Sequence, residues 1–308
     1  NFDIDGYRLD TAKHVNIEFW QRVAPAVLEH AQSNGKPDFT MFGEVLDGNP
    51  QIESYYTTVG MLPSVLDFGL HGAIASVGIN NGPTDNLANL FASDDYFTDA
   101  DSNAYQLGTF ISNHDLCRAA YYLNQALPNA SDDELVARVE WGYAMLYFAR
   151  GFPIVYYGDE QGFTGGGSDK LCREDMLPSQ VPDYMDEDLL GTDATPADDN
   201  FDPSHPIYQA LAEMAAVRAD NLALRRGAQI TRYATDAPGV FAFSRIERDE
   251  QVEYVVVFNS ATSEKHVSFP VYLANTEYNA VYPAGEPAIV TDANAQFTIH
   301  MMPGGVAV

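Results

Sequence analysis

Basic residues are scarce. The 308-residue chain carries 16 Lys and Arg against 44 Asp and Glu, a formal net charge of −28. Nucleic acids and anionic membranes are held by cationic surface, so this balance excludes a non-specific binder of either. It favours a neutral or cationic partner, or a salty medium that screens self-repulsion. Cysteine is almost absent. Two residues, Cys117 and Cys172, rule out a disulfide framework and leave room for one bridge. Long apolar runs are missing as well: the stretch 143–149 is among the longest, far below the roughly 20 residues a bilayer span needs. Tryptophan occurs twice, at Trp20 and Trp141, and not at all beyond residue 226.

The rest is an ordinary globular composition, 46% hydrophobic and 19% charged, with 17 Phe and 18 Tyr. So many aromatics exclude disorder driven by charge. The length suits one large or two medium domains. The chain opens at Asn1 on a strand-like acidic segment that reads as internal, so an N-terminal part is expected upstream.

Up to about residue 225, short apolar strands alternate with amphipathic helices. Strands are expected at 6–10, 39–44, 65–68, 107–112 and 153–157. Helices are expected at 16–31, from 68 through Ile79, at 132–150 behind Ser131 or Asp132, and at 206–221. Such alternation means βα units and a parallel sheet. Beyond Arg226 the pattern turns to β-rich runs at 240–246, 253–259, 266–271, 278–282 and 296–301, separated by turn residues. That predicts a small antiparallel β-sandwich. The expected domains are therefore 1–226 and 227–308. Gly165-Gly166-Gly167-Ser168 lacks the Lys of a phosphate loop and reads as a flexible loop; 183–202 reads as a long exposed acidic loop. His71 and His205 are expected on the surface, and Trp141, Tyr156 and Tyr157 in the core.

Polar residues with chemical potential gather at the C-terminal ends of the predicted strands: Asp10, Glu44, Asp115, Asp159 and Glu160. That edge carries the sites of parallel α/β folds. Arg8 lies two residues before Asp10, so on a strand both face one side, and an arginine beside a carboxylate favours its charged form. Such an Asp suits a nucleophile. Glu44 closes an apolar strand, and a carboxyl among apolar neighbours holds its proton and suits a general acid. Asp115 follows Asn113 and His114, side chains suited to hydroxyl groups. Two carboxylates in these roles are what retaining glycoside hydrolysis needs. Asp159 and Glu160 read as holding the loop after the last strand.

Four strings occur in order: Asp5-Gly-Tyr-Arg-Leu-Asp-Thr-Ala-Lys-His14, Gly43-Glu44-Val45, Phe110-Ile-Ser-Asn-His-Asp115 and Gly151-Phe-Pro-Ile-Val-Tyr-Tyr-Gly-Asp-Glu160. They resemble the fourth-, fifth-, seventh- and eighth-strand motifs of the α-amylase family of glycoside hydrolases. The resemblance covers about residues 1–225 and implies the C-terminal part of a (β/α)8 TIM barrel, followed by the family's β-sandwich. The first three barrel strands, with the domain after the third, fall outside it and are the expected partner of this chain. By resemblance Asp10 is the nucleophile, Glu44 the acid/base, and Asp115 the third carboxylate. Arg8 orients the nucleophile; Asn113 and His114 contact sugar. Lys13 and His14 resemble the pair of starch-type α-1,4 enzymes, and the His14 carbonyl is a calcium ligand in many relatives.

The resemblance thus implies retaining hydrolysis of starch or maltooligosaccharides and an extracellular or periplasmic setting. A transglycosylase, a sucrose- or trehalose-acting relative, and a non-catalytic interaction protein on the same barrel remain open. The last typically loses the nucleophile or its partners, which are all present here. Cys117 and Cys172 follow the seventh- and eighth-strand motifs, on loops expected to be neighbours; a bridge and two free thiols both remain open.

Overall fold

The computed structural model describes residues 3–185 and 187–308. The chain forms two compact units, each assembled from non-contiguous segments: 1–73 with 89–110 and 151–154, and 74–88 with 111–150 and 155–308.

The first unit holds five short parallel strands: β1 (Gly6–Leu9), β2 (Thr40–Gly43), β3 (Ser64–Val65), β4 (Gly108–Thr109) and β5 (Phe152–Pro153). β1 pairs with β2 and β2 with β3. A single parallel bridge, Leu66 to Gly108, carries the order on to the β4–β5 pair. The order thus follows the chain, as βα units require. Each strand is shorter than its apolar run. The last begins one residue before the expected 153–157 and ends at Pro153, although the Ile154 amide still donates to the Thr109 carbonyl at 2.8 Å. The Ile17–Ser33 helix, entered from Asn16, buries Trp20, Ala24 and Ala31. Trp20 donates its indole N–H to the Ala12 carbonyl at 3.0 Å. Its core neighbours are Met41, Val45, Leu62, Val65 and Leu107. Pro50–Thr58 is a helix that sequence did not reveal; Asn49 caps it.

The second unit carries eight antiparallel strands. A four-stranded sheet runs in the order β13-β8-β7-β6, from β6 (Ala228–Tyr233), β7 (Val240–Glu247), β8 (Val252–Asn259) and β13 (Val306–Ala307). β9 (Lys265–Pro270) pairs with β12 (Gln296–Met301), and β10 (Glu277–Tyr278) with β11 (Ile289–Val290). Along β12 burial alternates, with Phe297, Ile299 and Met301 inward, the period of a half-buried strand. They share a core with Val240, Ala242, Val255 and Val257 of the larger sheet, as a sandwich requires. The other face of that sheet is also covered. Phe258 meets Trp141 edge-on at 5.3 Å, which explains the near-continuous apolar run of β7. Trp141 lies on the Asp132–Phe148 helix, capped by Ser131, whose hydroxyl accepts from Glu134 N at 3.2 Å.

Four expectations change. Gly165–Gly167 does not form a flexible loop: a side chain at Gly166 would strike Leu171, and one at Gly167 the Tyr121 ring. Segment 183–202 is irregular but not simply exposed, since Leu189, Leu190 and Asn200 are buried; Asp186 within it lies outside the described residues. His205 is buried because its ring caps the Pro206–Asp220 helix, accepting from Ile207 N at 3.2 Å, and meets the Leu190 carbonyl at 2.9 Å. Tyr157 lies at the surface, 42% exposed, while Trp141 is buried as expected.

Gly162 ends a short turn at φ +72°, and a Cβ there would lie 2.1 Å from the Leu190 carbonyl oxygen. Gly162→Ala is expected to cost about 2 kcal/mol or more, from left-handed strain and the clash. Gly72 sits in the Phe68–Ile74 helix with open space around its Cβ position. Gly72→Ala should be neutral or stabilising by up to about 1 kcal/mol. Urea midpoints of the two variants check the contrast.

Candidate active site

Strand register positions the expected site residues of the first unit. Leu9 pairs with Gly43, so Asp10 and Glu44 leave β1 and β2 at the same level. The Glu44 amide continues the ladder by donating to the Leu9 carbonyl at 2.8 Å. Arg8 uses two nitrogens. Nη1 donates to Asp10 Oδ1 and Nη2 to Glu44 Oε2, the second at 3.1 Å. One guanidinium thus holds both carboxylates.

Thr11 adopts a left-handed conformation, φ +50°, rare for a β-branched residue. Its amide donates to Glu44 Oε2 at 3.0 Å. Glu44 is therefore not among apolar neighbours, as its strand suggested. Its side chain is 15% exposed and receives one charged and one neutral donor. Asp10 is far more open, at 65%.

Lys13 donates to the Leu46 carbonyl at 2.9 Å and to Asp47 Oδ2 at 2.5 Å. It thereby ties the turn after β1 to the loop after Glu44. His14 ends the short Ala12–His14 turn and is exposed. Among the described residues no group of three or more His, Cys, Asp or Glu is gathered to hold a metal ion.

The second unit holds the other expected residues. Asn113 Oδ1 accepts from the amides of Asp115 at 2.9 Å and Leu116 at 2.7 Å, shaping the turn itself. His114 Nε2 lies 3.2 Å from Asp115 Oδ2. Arg173, which sequence did not single out, donates to Asp115 Oδ1 at 3.3 Å and to the His114 carbonyl at 3.2 Å.

Beneath this turn Arg118 is fully buried. It donates to both Glu174 oxygens, to Asp159 Oδ1 at 2.7 Å and to the Tyr157 carbonyl at 2.9 Å. Its guanidinium lies 4.6 Å from the Tyr156 ring centre, a cation–π contact. Tyr143 donates to the other Asp159 oxygen at 2.6 Å. Burial pulls the guanidinium toward neutrality, but Asp159 and Glu174 outweigh it and hold its pKa above the ordinary value. Burial pushes the Asp159 carboxyl up against the pull of Arg118. Asp159 is thus a structural anchor, the role its place after the last strand suggested. The available signal for Arg118 was its place three residues after Asp115; for Arg173 and Glu174 there was none beyond nearness to Cys172.

Residues 1–201 match the family model "Alpha amylase, catalytic domain". The chain is 39% identical to an alpha-amylase of Streptomyces lividans, over 97% of its own length and 32% of the relative's. It is 30% identical to a beta/alpha-amylase of Paenibacillus polymyxa, over 85% of its length and 18% of that protein's. The crystal structure of an alpha-amylase from Geobacillus thermoleovorans complexed with acarbose aligns with a TM-score of 0.76 and 25% identity, covering 99% of this chain and 59% of the other. An Anoxybacillus alpha-amylase structure gives the same TM-score at 24% identity, with 99% and 58% covered. The chain thus spans about a third of the first relative and under two thirds of the solved chains.

Glu187 presses on Glu174. Burial, then the Glu174 charge, push the Glu187 carboxyl from 4.5 up to about 8. The native state then holds a proton that the unfolded chain releases above about pH 4.5, so stability falls as pH rises from about 4.5 to about 8. Melting temperature against pH should decline less steeply across that window in Glu187→Gln than in the wild type. Equal slopes would refute the assignment.

Proposed function

This chain belongs to the alpha-amylase family, as a partial (β/α)8 barrel followed by an antiparallel β-sandwich, and we propose that it carries the catalytic residues of a retaining α-glucan hydrolase. The substrate is an α-1,4-linked glucan, starch or its oligosaccharides. Asp10 attacks the anomeric carbon while Glu44 delivers its proton to the departing glycosidic oxygen. Glu44, now a carboxylate, takes a proton from water, which attacks the same carbon and frees Asp10. Asp115 and His114 bind sugar hydroxyls, and Lys13 and His14 face the leaving-side sugar.

The observation that carries this reading is the single Arg8 guanidinium shared by Asp10 and Glu44. A retaining mechanism needs its two carboxyl groups only about 5–5.5 Å apart, and two carboxylates on one guanidinium are held close. Arg8 also offsets their repulsion and orients the open Asp10 carboxylate. The Thr11 amide fixes one Glu44 oxygen, leaving the other for proton transfer.

The same reading divides the chain into a catalytic part, 1–226, and a sandwich, 227–308. The change from parallel to antiparallel strands between β5 and β6 supports that division. It also places the family's earlier barrel strands against the outer edge of β1, where Tyr7 is 42% exposed. An extracellular or periplasmic setting goes with a polymeric substrate.

Release of sugar from a reducing-end-blocked maltoheptaose tests the proposal, measured on this chain alone and with the family's earlier barrel strands restored. Asp10→Asn and Glu44→Gln should each lower turnover by about 10³-fold or more in whichever form is active. Turnover that survives Asp10→Asn, or no turnover in either form, overturns it.

A further inference from the structure

Cys117 and Cys172 are the chain's two cysteines; both are buried, and both are free thiols in this structure. Fifty-odd residues separate them in sequence, yet Cys172 lies against the turn that ends at Cys117. The Cys172 thiol donates to the His114 carbonyl at 3.8 Å, within the turn that Asn113 and Cys117 close. Backbone geometry brings them together from both sides. Cys117 takes a left-handed conformation, φ +66°, and its carbonyl accepts from Asn113 N at 3.3 Å, closing the turn that carries Asp115. Opposite, Gly165 approaches so closely that a Cβ there would lie 3.1 Å from the Cys172 Cβ, and the Cys172 carbonyl accepts from the Tyr156 hydroxyl at 2.9 Å.

We propose that Cys117 and Cys172 form a native disulfide that fastens the Asp115 turn to the segment carrying Arg173 and Glu174. Cys117 lies two residues from Asp115, and Cys172 lies next to Arg173, whose guanidinium reaches Asp115. The bridge would link covalently two segments that already meet through Arg173–Asp115 and Arg118–Glu174. The inference does not depend on the proposed activity.

The oxidant is a low-molecular-weight disulfide such as oxidised glutathione. One cysteine thiolate attacks it, forming a protein–glutathione mixed disulfide and expelling one glutathione thiolate. The second cysteine thiolate attacks the protein sulfur of that mixed disulfide and expels the other glutathione. Two thiols lose two protons and two electrons, and one oxidised glutathione becomes two reduced. In the folded reduced chain this is slow. Burial first, and then Cys117, push the Cys172 thiol up to about 12, which suppresses its thiolate. The bridge therefore forms during folding.

The test refolds the denatured, reduced chain in glutathione buffers of graded redox ratio, traps free thiols with N-ethylmaleimide, and reads bridged and alkylated chains by mass spectrometry. The same series runs in concentrated urea. The native bridge should lack two hydrogen atoms, take up no maleimide, and yield a Cys117–Cys172 cross-linked peptide. Its equilibrium constant should exceed the value in urea by on the order of 100-fold, the ratio a stabilising native bridge implies. Equal constants in both solvents, a weaker constant in buffer, or two alkylated thiols under oxidising conditions overturn the proposal. Cys117→Ser should leave Cys172 unbridged and lower the melting temperature of the refolded chain toward that of the reduced wild type.

Discussion

One guanidinium between two carboxylates is the contact around which the first unit's site is arranged. Asp10 and Glu44 reach Arg8 together only because Leu9 and Gly43 are register partners on parallel strands. A slip of one residue would turn Glu44 to the other face of the sheet. Unshared, the two carboxylates would repel. Sharing offsets that repulsion and leaves their environments unequal. Asp10 stays open to solvent, while Glu44 is nearly covered and held by a backbone amide. The left-handed Thr11 belongs to the same arrangement, since its conformation accompanies the amide's approach to Glu44.

The second unit solves a related problem with greater burial. Arg118, Asp159 and Glu174 lie almost wholly out of water. Buried ions are costly unless every donor and acceptor is matched, and removing one partner costs about 3–5 kcal/mol. Here the guanidinium meets both Glu174 oxygens, one Asp159 oxygen and a backbone carbonyl, and Tyr143 serves the other Asp159 oxygen. Such a network is a specificity device more than a source of net stability. It admits one arrangement of the segments that meet at Arg118, and so fixes the backbone on which His114 and Asp115 stand.

What sequence revealed and what it hid divide along a physical line. Helix boundaries were legible within a few residues because periodicity and caps are local: the helix expected from 16 begins at Ile17, and Ser131 caps the helix expected from 132. β12 was legible as a β-rich run between turn residues. The five parallel strands were legible as apolar runs but not in length, since ladder pairing ends where the neighbouring strand turns away. The carboxylates and Arg8 could be named from strand ends and motif strings. The second bond of Arg8, to Glu44, could not, because a residue's partner 36 positions away depends on register. His205 misled because a lone polar residue in a loop reads as surface, whereas here it caps a helix from inside. Arg118 and Glu174 were hidden because sequence shows charge and not burial.

The scarcity of basic residues gains a structural meaning from this. With 16 Lys and Arg in a chain of net charge −28, few cations are available, yet Arg8, Lys13, Arg118 and Arg173 all serve the carboxylate sites or the turns around them. Added salt therefore acts unevenly. Repulsion among exposed acids is screened over a Debye length of about 8–10 Å at ordinary ionic strength, whereas pairs sealed from solvent are screened much less. Arg118 has no exposed side-chain surface, and its ion pairs persist as salt rises. The Arg8–Asp10 pair, 30% and 65% exposed, loosens first. Salt thus relieves the acidic surface while leaving the buried anchor of the Asp115 turn in place, and among these pairs it acts most on the exposed Arg8–Asp10 one.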